Sequence, residues 1–117
     1  MLINQGEVYW TERDEPLGSG PGFRHPHVVV QNDLFNHSRL ATVVVCLLTT
    51  NLRLASAPGN VLLNMGEANL SRQSVVNVTQ LYTVDKADLT EWIGVLSENR
   101  VRQIVAGIRL LTEPQSF

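Results

Sequence analysis

The run Ala41-Thr42-Val43-Val44-Val45-Cys46-Leu47-Leu48-Thr49 is almost unbroken apolar sequence. Valine loses rotamer freedom in a helix and packs well on a pleated surface, so a valine-rich run of this length suits a strand. Neighbouring residues of a strand point to opposite faces. A run that is apolar at nearly every position therefore predicts a strand buried on both sides, at the centre of a closed sheet. The single cysteine, Cys46, lies inside it. It reads as a small core residue, because one cysteine makes neither an internal disulfide nor a cysteine zinc site. A reducing, cytoplasmic compartment is the corresponding expectation.

Working outward, His27-Val28-Val29-Val30-Gln31-Asn32 predicts a strand that starts after Pro26, and Glu7-Val8-Tyr9-Trp10-Thr11 predicts another. Between them, residues 12–22 hold three Gly, two Pro and four charged groups, which predicts a long loop. Loops of that length tend to carry function. A short turn is expected at residues 33–36. On the other side, Ala57-Pro58-Gly59-Asn60 turns into Val61-Leu62-Leu63. Residues 74–81 read as a strand that residues 81–84 either extend or follow with another, and residues 91–96 form a late strand. Val101, Ile104, Val105, Ile108 and Leu111 recur at helical spacing. Ser97 is placed to cap this helix, Leu96 to staple against Val101, and Pro114 to end it. Gly107 inside it costs about 1 kcal/mol relative to Ala. Six or seven short strands closed by one helix predict a mainly β fold, a small barrel with a peripheral helix. At 117 residues the chain is expected to be one domain, 1–117.

The formal net charge is −2. That excludes a bulk polycation that coats nucleic acid. No apolar run is long enough to span a membrane, and Met1-Leu2-Ile3-Asn4-Gln5-Gly6-Glu7 does not read as a secretory signal. The balance hides a pattern. Eight of the nine basic residues are Arg. Residues 1–15 carry a net −3, residues 16–73 a net +2 with all three His, and residues 74–117 a net −1. Arginine suits bidentate phosphate recognition, so the middle segment is a candidate phosphate-binding surface.

Four groups of residues are candidates for chemistry. In Gly22-Phe23-Arg24-His25-Pro26-His27, a guanidinium can stabilise phosphate charge and an imidazole can move protons near neutral pH. His25 and His27 share a strand face only if the strand begins early, which Pro26 argues against. The alternative is solvated histidines beside a surface arginine. Thr49-Thr50-Asn51 ends a buried strand in polar groups that can hydrogen-bond a substrate oxygen or simply make a turn. Glu12, Asp14 and Glu15 read as a solvated loop rather than a metal site. Asn77 and Thr79 are expected on one strand face and Gln80 on the other, where they can read bases or face water. The chain lacks a phosphate-binding glycine loop ending in Lys-Ser/Thr, HExxH, GxSxG and paired cysteines, so it offers no support for NTP hydrolysis, metal catalysis or serine-hydrolase chemistry.

The ordered set Gly6-Glu7-Val8-Tyr9-Trp10, Gly18-Ser19, Pro21-Gly22, Arg24-His25-Pro26, Val28-Val29-Val30-Gln31-Asn32-Asp33, Leu48-Thr49-Thr50-Asn51, Pro58-Gly59-Asn60-Val61, Ser74-Val75-Val76-Asn77-Val78-Thr79-Gln80 and Val84-Asp85-Lys86 resembles the MazF/PemK family of toxin endoribonucleases. The resemblance runs from about Gly6 to Leu111. It implies an SH3-like barrel of the CcdB/PemK type with a C-terminal α-helix, acting as a homodimer. It also implies metal-independent, cofactor-free, sequence-specific cleavage of single-stranded RNA, chiefly mRNA. Attack by the ribose 2′-OH leaves a 2′,3′-cyclic phosphate and a 5′-OH. The implied partner is a MazE-like antitoxin whose flexible acidic segment blocks the RNA site.

The family's catalytic threonine carries over to Thr49. Its catalytic arginine commonly precedes the proline, where this chain has His25, with Arg24 one residue earlier. Arg24 is favoured for charge stabilisation and His25 as its helper. Ser19, Gly20, Asn32, Thr50, Asn51, Arg53 and Gln80 are the implied RNA contacts. Gly20 replaces an acidic loop residue usual in the family, so an attenuated homologue that still binds RNA and antitoxin is one alternative. Gly20→Glu is then expected to raise cleavage. A CcdB-like topoisomerase-poisoning toxin is the other alternative, and such a toxin has no need of the Arg24/Thr49 pairing.

Overall fold

The computed structural model describes residues 2–11 and 24–115. The strands are β1 Glu7–Thr11, β2 His25–Val29, β3 Thr42–Thr49, β4 Val61–Leu63, β5 Ser74–Asp85 and β6 Glu91–Val95. The helices are a single-turn α1, Asp33–Asn36, and a C-terminal α2, Glu98–Thr112. The strands form one antiparallel sheet in the order β4-β5-β3-β2-β1-β6.

Strand β3 is buried on both faces, as its composition predicts. Val43 and Val45 pack with Ile3, Tyr9, Val29 and Leu89 on one side. Cys46 and Leu48 pack with Val8, Val28, Val76 and Val78 on the other. Residues 81–84 extend β5 rather than starting a new strand. Its pairing with β3 is broken once: Cys46 faces Leu81 but Leu48 faces Val76, so residues 77–80 bulge opposite Leu47 alone. A bulge bends its strand and strengthens the local twist, and here it lets β5 wrap the sheet into a curl. Within the bulge the side chains of Asn77 and Thr79, expected on one strand face, meet each other. Asn77 Oδ1 accepts from Thr79 Oγ1 at 3.1 Å.

Strand β2 starts at His25, two residues earlier than expected, and stops at Val29. Pro26 is tolerated because pairing with β3 begins only at His27, so no ladder partner on that side demands its missing N–H. Asn32 is the cap of α1, its Oδ1 accepting from the Leu34 N–H at 2.8 Å.

The sheet edges, β4 and β6, are bridged by the turn Glu67–Asn69. Asn69 Nδ2 donates to the Ile93 carbonyl at 2.8 Å. Ala68 and Asn69 hold φ of 49° and 59°, the left-handed region that non-glycine residues rarely adopt. Gly94 of β6 allows the approach, since a Cβ there would lie 2.3 Å from the Ala68 carbonyl oxygen. The same turn is tied to α2, because Arg100 Nε and Nη2 each donate to the Glu67 carboxylate at 2.9 Å.

Helix α2 begins as expected, with Ser97 Oγ accepting from the Arg100 N–H at 3.2 Å. Leu96 and Val101 join one apolar cluster with the buried Ile104. The buried stripe is shorter than the apolar one, because Leu111 remains 45% exposed near the far end of the helix. Gly107 has a packing role that offsets its low helix propensity: a Cβ there would lie 2.0 Å from the Gly59 carbonyl oxygen.

Candidate functional site

The antiparallel registers gather the end of β1, the start of β2, the end of β3 and the starts of β5 and β6 at one end of the sheet. A cleft of about 480 Å³ opens there. Its floor is apolar (Pro26, Leu48, Leu70 and Ile93), and Trp10, Arg24, His25, Thr50 and Arg72 stand around it. Local structure explains the placement. In β1 and β2, Trp10 and Pro26 face each other across the ladder. Leu48 and Thr50 lie two residues apart and therefore on one side of the β3 line.

Arg24 immediately precedes β2. Its guanidinium carbon lies 4.8 Å from the centroid of a Trp10 ring, a cation–π arrangement. Its Nη2 donates to Glu91 Oε2. Glu91 is the ladder partner of Trp10, so indole, guanidinium and carboxylate form one patch. Arg24 and Glu91 are both substantially exposed, at 42% and 56% of their side chains.

Thr49 closes β3, half-buried opposite Val75. Its Oγ1 accepts from the Asn51 N–H at 3.2 Å. The β2–β3 register pairs His27 with Leu47. His25 and Thr49 each lie two residues beyond this last β2–β3 pair, at the start of β2 and the end of β3. Arg24, Trp10, His25 and Thr50 line the cleft, whereas Thr49, next to Thr50 in the chain, is not part of its lining. His27 is buried one ladder step inward, its Nδ1 2.9 Å from the His25 carbonyl oxygen and its ring edge-on to Tyr82 at 5.8 Å.

The other expected contacts are not all drawn into this cleft. Asn51 caps the 3₁₀ turn Leu52–Ser56, its Oδ1 accepting from the Arg53 N–H at 3.3 Å, and Arg53 is exposed on that turn. Asn32 lines a separate apolar groove with Val30, Phe35, Val105 and Ile108. Gln80 sits half-buried in the β5 bulge. Ser19 and Gly20 lie outside the described residues, as do Glu12, Asp14 and Glu15. Trp10, Arg72 and Glu91 are not among the residues that sequence reasoning selected. The positive middle segment hinted at Arg72. Nothing local marked Glu91, which is 67 residues from its partner Arg24.

Cys46 takes no part in the site. Burial pushes its thiol up to about 12, and its Sγ donates to the Asn77 carbonyl at 3.1 Å. Among the described residues no helix is long and apolar enough to cross a membrane.

A curled six-stranded antiparallel sheet with a C-terminal helix thus carries a cleft lined by Arg24 and Arg72 at one end. Residues 4–112 match the family model described as PemK-like, MazF-like toxin of type II toxin–antitoxin system, and the chain belongs to that family. It is 42% identical over 109 residues to Endoribonuclease MazF6 of Mycobacterium tuberculosis, covering 93% of this chain and 96% of that one. It is 27% identical over 110 residues to Endoribonuclease EndoA of Bacillus subtilis, covering 94% of each. The fold is similar to that of a solved endoribonuclease in complex with its cognate antitoxin from Mycobacterial species. That similarity has a TM-score of 0.76 at 24% identity, covering 97% of this chain and 99% of that one.

Proposed function

We propose that this chain, acting as one domain over residues 1–117, is a toxin endoribonuclease that cuts single-stranded RNA at short sequences without a metal. The observation that carries this reading is the gathering of Arg24, His25 and Thr50 in one cleft, with Thr49 at the end of β3 beside Thr50. The identity to curated endoribonucleases over 93% of the chain supports it.

The chemistry is transesterification. The 2′-oxygen bonds to the neighbouring phosphorus, the bond to the 5′-oxygen breaks, and the 2′-OH proton must leave while the 5′-oxygen gains one. The Thr49 hydroxyl orients a non-bridging phosphate oxygen. The Arg24 guanidinium balances the charge that grows on the phosphate. The His25 imidazole, which lines the cleft beside Arg24, transfers a proton. Thr50 hydrogen-bonds the backbone that follows. Ser19, Asn32, Asn51, Arg53 and Gln80 are proposed outer RNA contacts, reached beyond the cleft itself.

The working form is proposed to be a cytoplasmic homodimer regulated by a MazE-like antitoxin. Leu34, Phe35, Leu110 and Leu111 remain 45% to 76% exposed, apolar surface that a second copy would cover.

The test is incubation of purified protein with a long unstructured RNA in EDTA, followed by mapping of new ends by primer extension. Cuts at a short recurring sequence are expected. Their absence at high enzyme concentration overturns the reading.

A further inference from the structure

Resting on the endoribonuclease reading, we infer that Trp10, Arg24 and Arg72 form a nucleotide subsite that the free protein keeps occupied with its own Glu91 carboxylate, so RNA enters by displacing Glu91 from Arg24. The chemistry of the patch favours a nucleotide. A planar aromatic ring receives a base by stacking, and sequence-tolerant stacking beside arginines is how single-stranded nucleic acid is commonly held. The cleft supplies the ring, a second guanidinium in Arg72, a hydroxyl in Thr50 and an apolar wall in Ile93. A carboxylate on a guanidinium presents two oxygens much as a phosphate does. Glu91 reaches Arg24 because β6 pairs Glu91 with Trp10 on which Arg24 lies.

The contact is built to yield. It uses one guanidinium nitrogen of a half-exposed arginine and a carboxylate that is 56% exposed. Ion pairs in such settings hold only weakly, because water screens them and competes for both partners. A polyanion with several phosphates replaces one carboxylate and keeps further contacts with Arg72. Glu91 therefore lowers affinity modestly and discourages ligands too short to make the second contact.

The experiment reads binding without cleavage. The probe is a labelled 2′-O-methyl oligoribonucleotide, which lacks the nucleophilic hydroxyl, titrated at low salt by fluorescence anisotropy. Trp92→Phe leaves Trp10 as the sole tryptophan, so its emission reports the subsite directly. Glu91→Gln is expected to bind about two- to fivefold tighter than its parent, with quenching of Trp10. The gain is expected to vanish when Arg24→Ala is added. Unchanged or weaker binding by Glu91→Gln overturns the inference. So does a gain that survives Arg24→Ala, or no binding by either protein. A gain for polyglutamate but not for the oligonucleotide also overturns it, by assigning the cleft to an acidic protein ligand. Failure of the nuclease reading shows separately, as intact unmodified RNA alongside a preserved effect of Glu91→Gln.

Discussion

Among the described residues, two arginine–glutamate pairs join distant segments, and they serve opposite ends. Arg100 grips Glu67 with two nitrogens at 2.9 Å each, and both side chains are about a quarter exposed, at 23% and 26%. Arg24 touches Glu91 with one nitrogen in an open cleft. The first geometry fixes both side-chain planes and fastens the Glu67–Asn69 turn to α2. The Arg100 guanidinium holds the Glu67 carboxyl below its ordinary value, and Glu67 in turn raises Arg100. The second geometry engages one Arg24 donor among the described residues and ties down little. The same two residue types make a structural clamp where they are sheltered and paired twice, and a replaceable contact where they are wet and paired once.

The contrast breaks most visibly in catalysis. Arg24→Ala is expected to lower the cleavage rate about 10²–10³-fold while leaving Tm unchanged. Arg100→Ala is expected to lower Tm with little effect on cleavage. A cleavage time course and a thermal melt on both proteins check this, and an exchange of the two phenotypes would sink the distinction. On the sheltered side, Gly94→Ala forces a methyl group against the Ala68 carbonyl that closes the curl. A loss of about 1–3 kcal/mol in chemical denaturation is expected from such overpacking.

Glu67→Gln should cost about 1 kcal/mol, allowing for partial solvent screening. Because folding lowers the Glu67 value from 4.5, its contribution is present above that pH and is lost as pH falls through the lower folded value. Denaturation across pH 7 to 3 should therefore show a shallower acid limb in Glu67→Gln than in its parent. The smallest effect belongs to the open pair: Glu91→Gln should change stability by less than about 0.5 kcal/mol. A larger loss would make Glu91 a second clamp.

The legible parts of the fold are those set by local periodicity. β1 is bounded at Glu7 and Thr11, β3 ends at Thr49, and the start of α2 after Ser97 follows from composition and capping. The start of β2 was obscured by Pro26, whose tolerance depends on where the neighbouring strand stops pairing. The 12-residue β5 and its bulge depend likewise on register with β3. At the candidate site, Arg24, His25 and Thr49 stood out because each carries a chemical group at a strand end. Trp10 read as strand material, and Glu91 carried no local signal at all. Their meeting exists only once β6 lies beside β1. Asn32 and Asn51 show the converse: each commits its side-chain oxygen to a local backbone cap, a contact made beside whatever else the side chain binds.

Cys46 has a practical consequence. Its thiol is fully buried, raised to about 12 and engaged by the Asn77 carbonyl. Maleimides and mild oxidants react with exposed thiolates, so near neutral pH this sulfur stays silent as long as the fold is intact. A cysteine engineered onto any exposed position becomes the one that takes a dye or spin label, with the native residue left in place. Modification of Cys46 itself would then time the opening of the core.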